Sequence, residues 1–207
     1  MRKIMFNDKY GLTDAVLNGK KRMTRREPFF DTVSKPNYGF YTEGTNKGKL
    51  ALCDGARIVH TSHYRMNEIV AVAQSYKHIY CLEPHQRLTE EYSVWFLHQE
   101  GLTYTKGWKN KMFVKSDFMP HHIRITDIRV ERLQDIRYED CMKEGIYEDY
   151  NEHDGFYVTP FYDFYGNNEE GFDTPKEAFA ALIDKVSGKG TWEKNPWVFA
   201  YDFELIK

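Results

Sequence analysis

The stretch His122–Leu133, "HIRITDIRVERL", decides how this chain is read as a fold. Side chains of a strand alternate between its faces, so Ile123 and Ile125 lie on one side while Ile128 and Val130 lie on the other. The parity changes near Thr126–Asp127, and a β-bulge or sharp bend there, as at the corner of a barrel, reconciles the two halves.

Working outward, the C-terminal stretch alternates cleanly. Trp197, Phe199, Tyr201, Phe203 and Leu205 fall on one face, and Val198, Ala200, Asp202, Glu204 and Ile206 on the other. Before it, "DTPKEAFAALIDKVSG" predicts a helix with Thr174 as cap, Pro175 at its first position, Glu177 completing a capping box and Gly188 beyond its end. "YEDCMKEG" reads as a short helix ending at Gly145, and "LTEEYSVWFLHQEG" as a helix closing on Gly101. "KLALC", "RIVHTSHY" and "EIVAVAQSYKHIY" are rich in β-branched residues and separated by "DGA" and "RMN", the pattern of a strand meander.

At the N-terminus, "KIMF" reads as a first strand. A helix follows from a cap at Asn7 or Asp8, with Leu12, Ala15 and Val16 on one face and a stop at Asn18–Gly19. Strands scattered between separate helices give an α+β expectation: one domain over residues 1–207, built on a small, mainly antiparallel β-barrel with flanking helices. A loop insertion falls at about 27–49 and an acidic, aromatic one at about 147–172.

The formal net charge of -2 excludes a protein that coats long duplexes by charge, a mode that needs a broad basic surface. Cys53, Cys81 and Cys141 are odd in number and lack a C-x-x-C pair, which fits neither a disulfide framework nor a zinc ribbon and makes a reducing, cytoplasmic location the default. No apolar run approaches the ~20 residues of a membrane span, so no membrane partner is expected. His60 and His63 point to opposite faces of a strand, as do His121 and His122; neither a metal nor a cofactor is expected. Phosphate-loop, dinucleotide, nucleophile-elbow and zinc-protease signatures are absent from the sequence.

What remains is "GKKRMTRR", Gly19–Arg26, with five cations among eight residues. Lys20 and Lys21 at a helix end complement its dipole, by about 0.3 to 1 kcal/mol, but this does not reach Arg22, Arg25 and Arg26. Thr24, a hydroxyl among cations, has two uses: binding a phosphate oxygen, or attacking as a nucleophile once a base takes its proton. Lys21 serves as that base if like-charged neighbours and burial lower its pKa. Glu144, last in its short helix, is the candidate carboxylate partner, although its local sequence alone favours an ordinary exposed glutamate before a glycine. In "GWKNKMFVK", Trp108 interleaves with Lys109 and Lys111, the mixture expected where a base stacks and a phosphate is held, or where a strand has one wet and one apolar face.

Together, "GKKRMTRR", "NEIVAVAQSY", "RITDIRVERLQDI..EDCMKEGI" and "NPWVFAYDFELI" resemble, in order, the segments of the ASCH family, which belongs to the PUA-like superfold. The resemblance spans Ile4 to Ile206 and implies a small β-barrel with a cleft for RNA or a nucleoside beside the basic segment. It further implies, from a subgroup of small bacterial ASCH proteins that hydrolyse the amide of N4-acetylcytidine, that Lys21, Thr24 and Glu144 match the catalytic Lys, Thr and Glu. The residue after that Lys is usually Thr and is Arg22 here.

Three readings of function follow. In the first, the chain binds single-stranded or modified RNA, or a nucleoside, through Lys20, Lys21, Arg22, Arg25, Arg26, Trp108, Lys109 and Lys111. In the second, it is an amidohydrolase of N4-acylated cytidine-type nucleosides using Lys21, Thr24 and Glu144. In the third, the cluster is a non-catalytic latch or protein-protein contact, its arginines paired to acids of "EDYNEHD".

Overall fold

A computed structural model describes residues 1–29, 36–81, 101, 105–150, 160–167 and 171–206. The chain is α+β, with ten strands among the described residues: β1 (Lys3–Ile4), β2 (Met23–Phe29), β3 (Asn37–Phe40), β4 (Leu50–Asp54), β5 (Arg57–Thr61), β6 (Ile69–Val72), β7 (His122–Arg132), β8 (Tyr147–Tyr150), β9 (Pro160–Asp163) and β10 (Trp197–Ile206). The described helices are α1 (Leu12–Leu17), α2 (Tyr76–Cys81), α3 (Tyr138–Lys143), α4 (Pro175–Ser187) and α5 (Thr191–Lys194). None of them is long and apolar enough to cross a membrane.

The expected β-barrel is not formed. Among the described residues the sheets are open: a five-stranded sheet of order β1-β6-β7-β10-β2, a three-stranded sheet β3-β4-β5 and the hairpin β8-β9. Closure needs the outermost strands to pair, but β1 is two residues long and pairs in parallel with β6, while β2 pairs only with β10. The meander that a barrel wall needs keeps to itself, with Tyr38 opposite Leu52 and Leu52 opposite His60.

The parity change in "HIRITDIRVERL" is real, since Ile123 and Ile125, then Ile128 and Val130, are the buried residues of β7. It marks no barrel corner. The register with β6 ends at Ile69 opposite Arg124, so the two halves of β7 meet different neighbours and each buries its own face.

By internal packing the chain divides into two compact units, 1–6, 69–124 and 205–207 in the first and 7–68 and 125–204 in the second. In the first unit, Ala71, Ala73, Tyr76, Val114 and Met119 form a buried cluster against which Met5, Trp108 and Phe118 pack. "QSYKHIY", read as strand, turns helical at α2. Gly107–Lys115, for which a strand is one option, lies instead within a run of three 3-10 turns, Lys106–Trp108, Lys111–Phe113 and Ser116–Phe118. The helix expected in "LTEEYSVWFLHQEG" lies outside the described residues except for Gly101.

In the second unit, α4 follows its sequence signals. Thr174 Oγ1 accepts from Glu177 N, Thr174 N donates to the Glu177 carboxylate, Pro175 starts the helix, and Ala178, Phe179 and Leu182 are buried. β10 is the central strand here and is covered on both faces, Val198, Phe199, Ala200 and Tyr201 all being buried. The Tyr201 hydroxyl accepts from His63 N at 2.9 Å, and its ring meets Tyr64 edge-on at 5.4 Å. Within the stretches read as insertions, β3 occupies Asn37–Phe40, and β8 and β9 pair with Tyr147 opposite Asp163.

Candidate functional site

The turn after α1 separates the cations that sequence reading grouped together. Gly19 adopts φ +69°, and Lys21 N then donates back to the Ala15 carbonyl at 2.9 Å. Arg22 N donates to Lys143 O at 2.8 Å and Arg22 O accepts from Phe203 N at 2.9 Å, so the segment is clamped between α3 and β10. With its backbone held in this way, Lys21 turns inward and is 2% exposed, while Lys20 and Arg22 face water.

Glu144 closes α3, its own N–H donating to Asp140 O and Cys141 O. The exposed glutamate that its local sequence favours is not what the fold makes: Glu144 is 4% exposed. Its Oε2 accepts from Lys21 Nζ at 2.5 Å and its backbone carbonyl accepts from the same ammonium at 2.7 Å. Gly145, at φ +103°, follows directly, and a Cβ there would lie 3.4 Å from Leu12 Cδ2 and 3.8 Å from Lys21 Cδ. Any side chain at this position is strained by its backbone, while its Cβ would make only ordinary contacts with Leu12 and the buried lysine.

Arg25 is also drawn inside. Its Nε donates to Glu131 Oε1 at 2.7 Å, its Nη1 to Glu144 Oε1 at 3.0 Å, its Nη2 lies 3.6 Å from Asp140 Oδ2, and its guanidinium sits 5.8 Å from the Phe179 ring centre. Burial by itself lowers its pKa, but Glu144 and Glu131 outweigh that and hold it above the usual arginine value. Arg25 is therefore committed to internal pairing. Its partners come from β7 and α3, whereas of the acids of "EDYNEHD" named in the latch reading Glu148 and Asp149 are exposed on β8, and Glu152 and Asp154 lie outside the described residues. A second ring surrounds this one: Arg129 lies 3.5 Å from Asp140 and 3.3 Å from Asp202, and Lys143 3.2 Å from Asp140.

Lys21 titrates below the ordinary lysine value. Burial is the largest cause, opposed by the Glu144 charge and hydrogen bond and reinforced by repulsion from Arg26 and Arg25. Thr24 is 5% exposed, and its Oγ1 accepts from Arg26 Nε at 3.3 Å. Arg26 thus reaches the Thr24 hydroxyl while its charge acts on Lys21. Lys21 is not in the strand at all; β2 begins at Met23.

Trp108, Lys109 and Lys111 belong to the first unit. Trp108 is half-buried against that unit's core, Lys111 Nζ donates to the Phe6 carbonyl, and Lys109 is exposed. Sequence reading missed Glu131, Asp140, Arg129 and Asp202. Two spacing signals were available: Asp140 and Glu144 stand at i and i+4 on one face of α3, and Arg129 and Glu131 stand at i and i+2 on β7.

Cys141, beside this network, is fully buried, and burial pushes its thiol up from 9.0 to about 12. Below pH 9 both folded and unfolded chains keep the proton, so the group is neutral to stability. Between pH 9 and about 12 only the unfolded chain releases it, and stability falls as pH rises. The urea midpoint of the native chain is accordingly expected to fall more steeply over that range than that of Cys141→Ala. Equal slopes would show that the thiol titrates alike in both states.

No protein-family model, curated protein or solved structure matches this chain.

Proposed function

We propose that this chain binds N4-acylated cytidine-type nucleosides, free or within RNA, and hydrolyses the acyl amide, with Thr24 as nucleophile, Lys21 as general base and Glu144 as proton carrier. The observation that carries this reading is the burial of Lys21 with its Nζ on Glu144 Oε2 at 2.5 Å and its pKa lowered by burial. Burial, against the opposing pull of Glu144, makes such a lysine a base that works nearer neutral pH than a solvated one. The resemblance of the four stretches, in order, to segments of the ASCH family supports the same assignment.

In the first half-reaction Thr24 Oγ1 forms a bond to the acyl carbon and gives its proton to the neutral Lys21 amine. The carbon–nitrogen bond then breaks, and the exocyclic nitrogen takes a proton delivered from Lys21 through Glu144, leaving an acyl ester on Thr24. In the second, water attacks that ester and returns a proton to Thr24 by the same relay, releasing the free acid. Atoms and charges balance with water as the only co-reactant.

RNA binding without turnover has one observation in its favour: Lys20 and Arg22 are exposed on either side of Lys21 and available to phosphates. Incubation of the protein with N4-acetylcytidine, alone and within a short single-stranded RNA, separates the two. The proposal expects cytidine and acetate in equal amounts. RNA retention at low salt without acetate would leave only the binding reading, and neither result would remove both.

A further inference from the structure

Sequence reading places Arg26 among phosphate-binding cations. Its geometry gives it another task. Thr24 and Arg26 are two residues apart on β2, on one face of the strand, and Arg26 Nε donates to Thr24 Oγ1 at 3.3 Å. Thr24 Oγ1 is both a donor and an acceptor, and a donor from Arg26 occupies it as acceptor. The hydroxyl proton is left to be given elsewhere. The same guanidinium repels the Lys21 ammonium, and among the cations acting on Lys21 it weighs more than Arg25, whose charge is spent on Glu131 and Glu144.

We propose that Arg26 is a positioning residue of this site, holding the Thr24 oxygen by a hydrogen bond and setting positive charge against Lys21, so that the hydroxyl proton passes to a neutral amine. This rests on the hydrolase reading. Among the described residues, the charges that act on Lys21 include Glu144 from the end of α3, in contact with it, and Arg25 and Arg26 from β2, and α1 meets it through the Ala15 carbonyl on Lys21 N. Glu144 favours the protonated lysine; the arginines oppose it. Removing the Arg26 charge tips this balance toward the ammonium, whereas Arg25, tied to three carboxylates, is poorly placed to compensate.

The test has two readouts on the full chain, for the native protein, Arg26→Gln and Arg26→Lys. The first is the titration midpoint of Lys21, followed by NMR of 13C-labelled lysine side chains and assigned by the resonance lost in Lys21→Met. The second is the pH profile of kcat/KM on N4-acetylcytidine. The Lys21 midpoint is expected to rise in Arg26→Gln and to stay near the native value in Arg26→Lys. The ascending limb of the pH profile is expected to move with it, lowering kcat/KM on the acid side about tenfold for each pH unit.

An unchanged Lys21 midpoint in a folded Arg26→Gln protein would overturn the proposal whether or not the protein turns over substrate. A midpoint that rises in a protein that never releases cytidine would support the coupling and overturn the hydrolase reading alone.

Discussion

Lys21→Met is expected to reduce the release of cytidine from N4-acetylcytidine by about 10²- to 10⁴-fold, the usual contribution of a positioned general base. The loss should appear in kcat, since the role proposed for the amine is to take the proton of Thr24 and not to bind the nucleoside. Methionine keeps much of the lysine's apolar stem and removes the ammonium, so the side chain still fills the space beneath Gly145. Measured kcat and KM for the two proteins check this. A Lys21→Met protein that keeps native kcat would remove the base from the mechanism.

The second large effect is on stability. Glu144→Ala leaves the Lys21 ammonium, 2% exposed, with only a carbonyl partner of those that Glu144 supplies, and leaves Arg25 Nη1 without its 3.0 Å carboxylate contact. Breaking one partner out of a buried ion pair costs about 3 to 5 kcal/mol, because the remaining charge is neither hydrated nor neutralised. In a chain of this size that corresponds to a fall in Tm of roughly 6 to 20 °C. Removing the lysine as well should recover part of the loss, since the orphaned charge goes with it; thermal unfolding of Glu144→Ala alone and combined with Lys21→Met measures both. If the single variant melts with the native protein, the pair is not held out of water as described.

The same two residues show how far the sequence could be read. Lys21 and Glu144 are 123 positions apart, and no local pattern joins them. Their pairing is suggested in advance by the place of Glu144 at a helix end, where an acid gains from a cation, and by the ASCH-like order of segments. Local signals did well where local physics decides: Thr174, Pro175 and Glu177 write the start of α4, and Gly145 ends α3 through a positive φ that other residues avoid. They failed where tertiary context decides. Arg25 and Arg22 look alike in "GKKRMTRR", yet one is sealed against Glu131 and Glu144 and the other is in water, a difference set by which side of β2 and its preceding turn each leaves from.

The barrel expectation failed for a related reason. A change of buried parity in β7 suggests a corner, but parity reports only which neighbour covers each half of a strand, and in β7 the neighbour changes where β6 ends. Glu131 and Asp140 were missed because a carboxylate on a strand or in a first helical turn is most often solvated. Their value here comes from Arg25 being carried inside by β2.

The proposed hydrolysis turns on the hydroxyl of Thr24. Initial rates of acetate release from N4-acetylcytidine, for the native chain and for Thr24→Ala matched in circular dichroism and Tm, test it most directly. Acetate from the native chain, with Thr24→Ala slower by about 10³-fold or more and nucleoside affinity largely kept, is the predicted result. Equal rates from the two proteins, or no acetate from either, would contradict it.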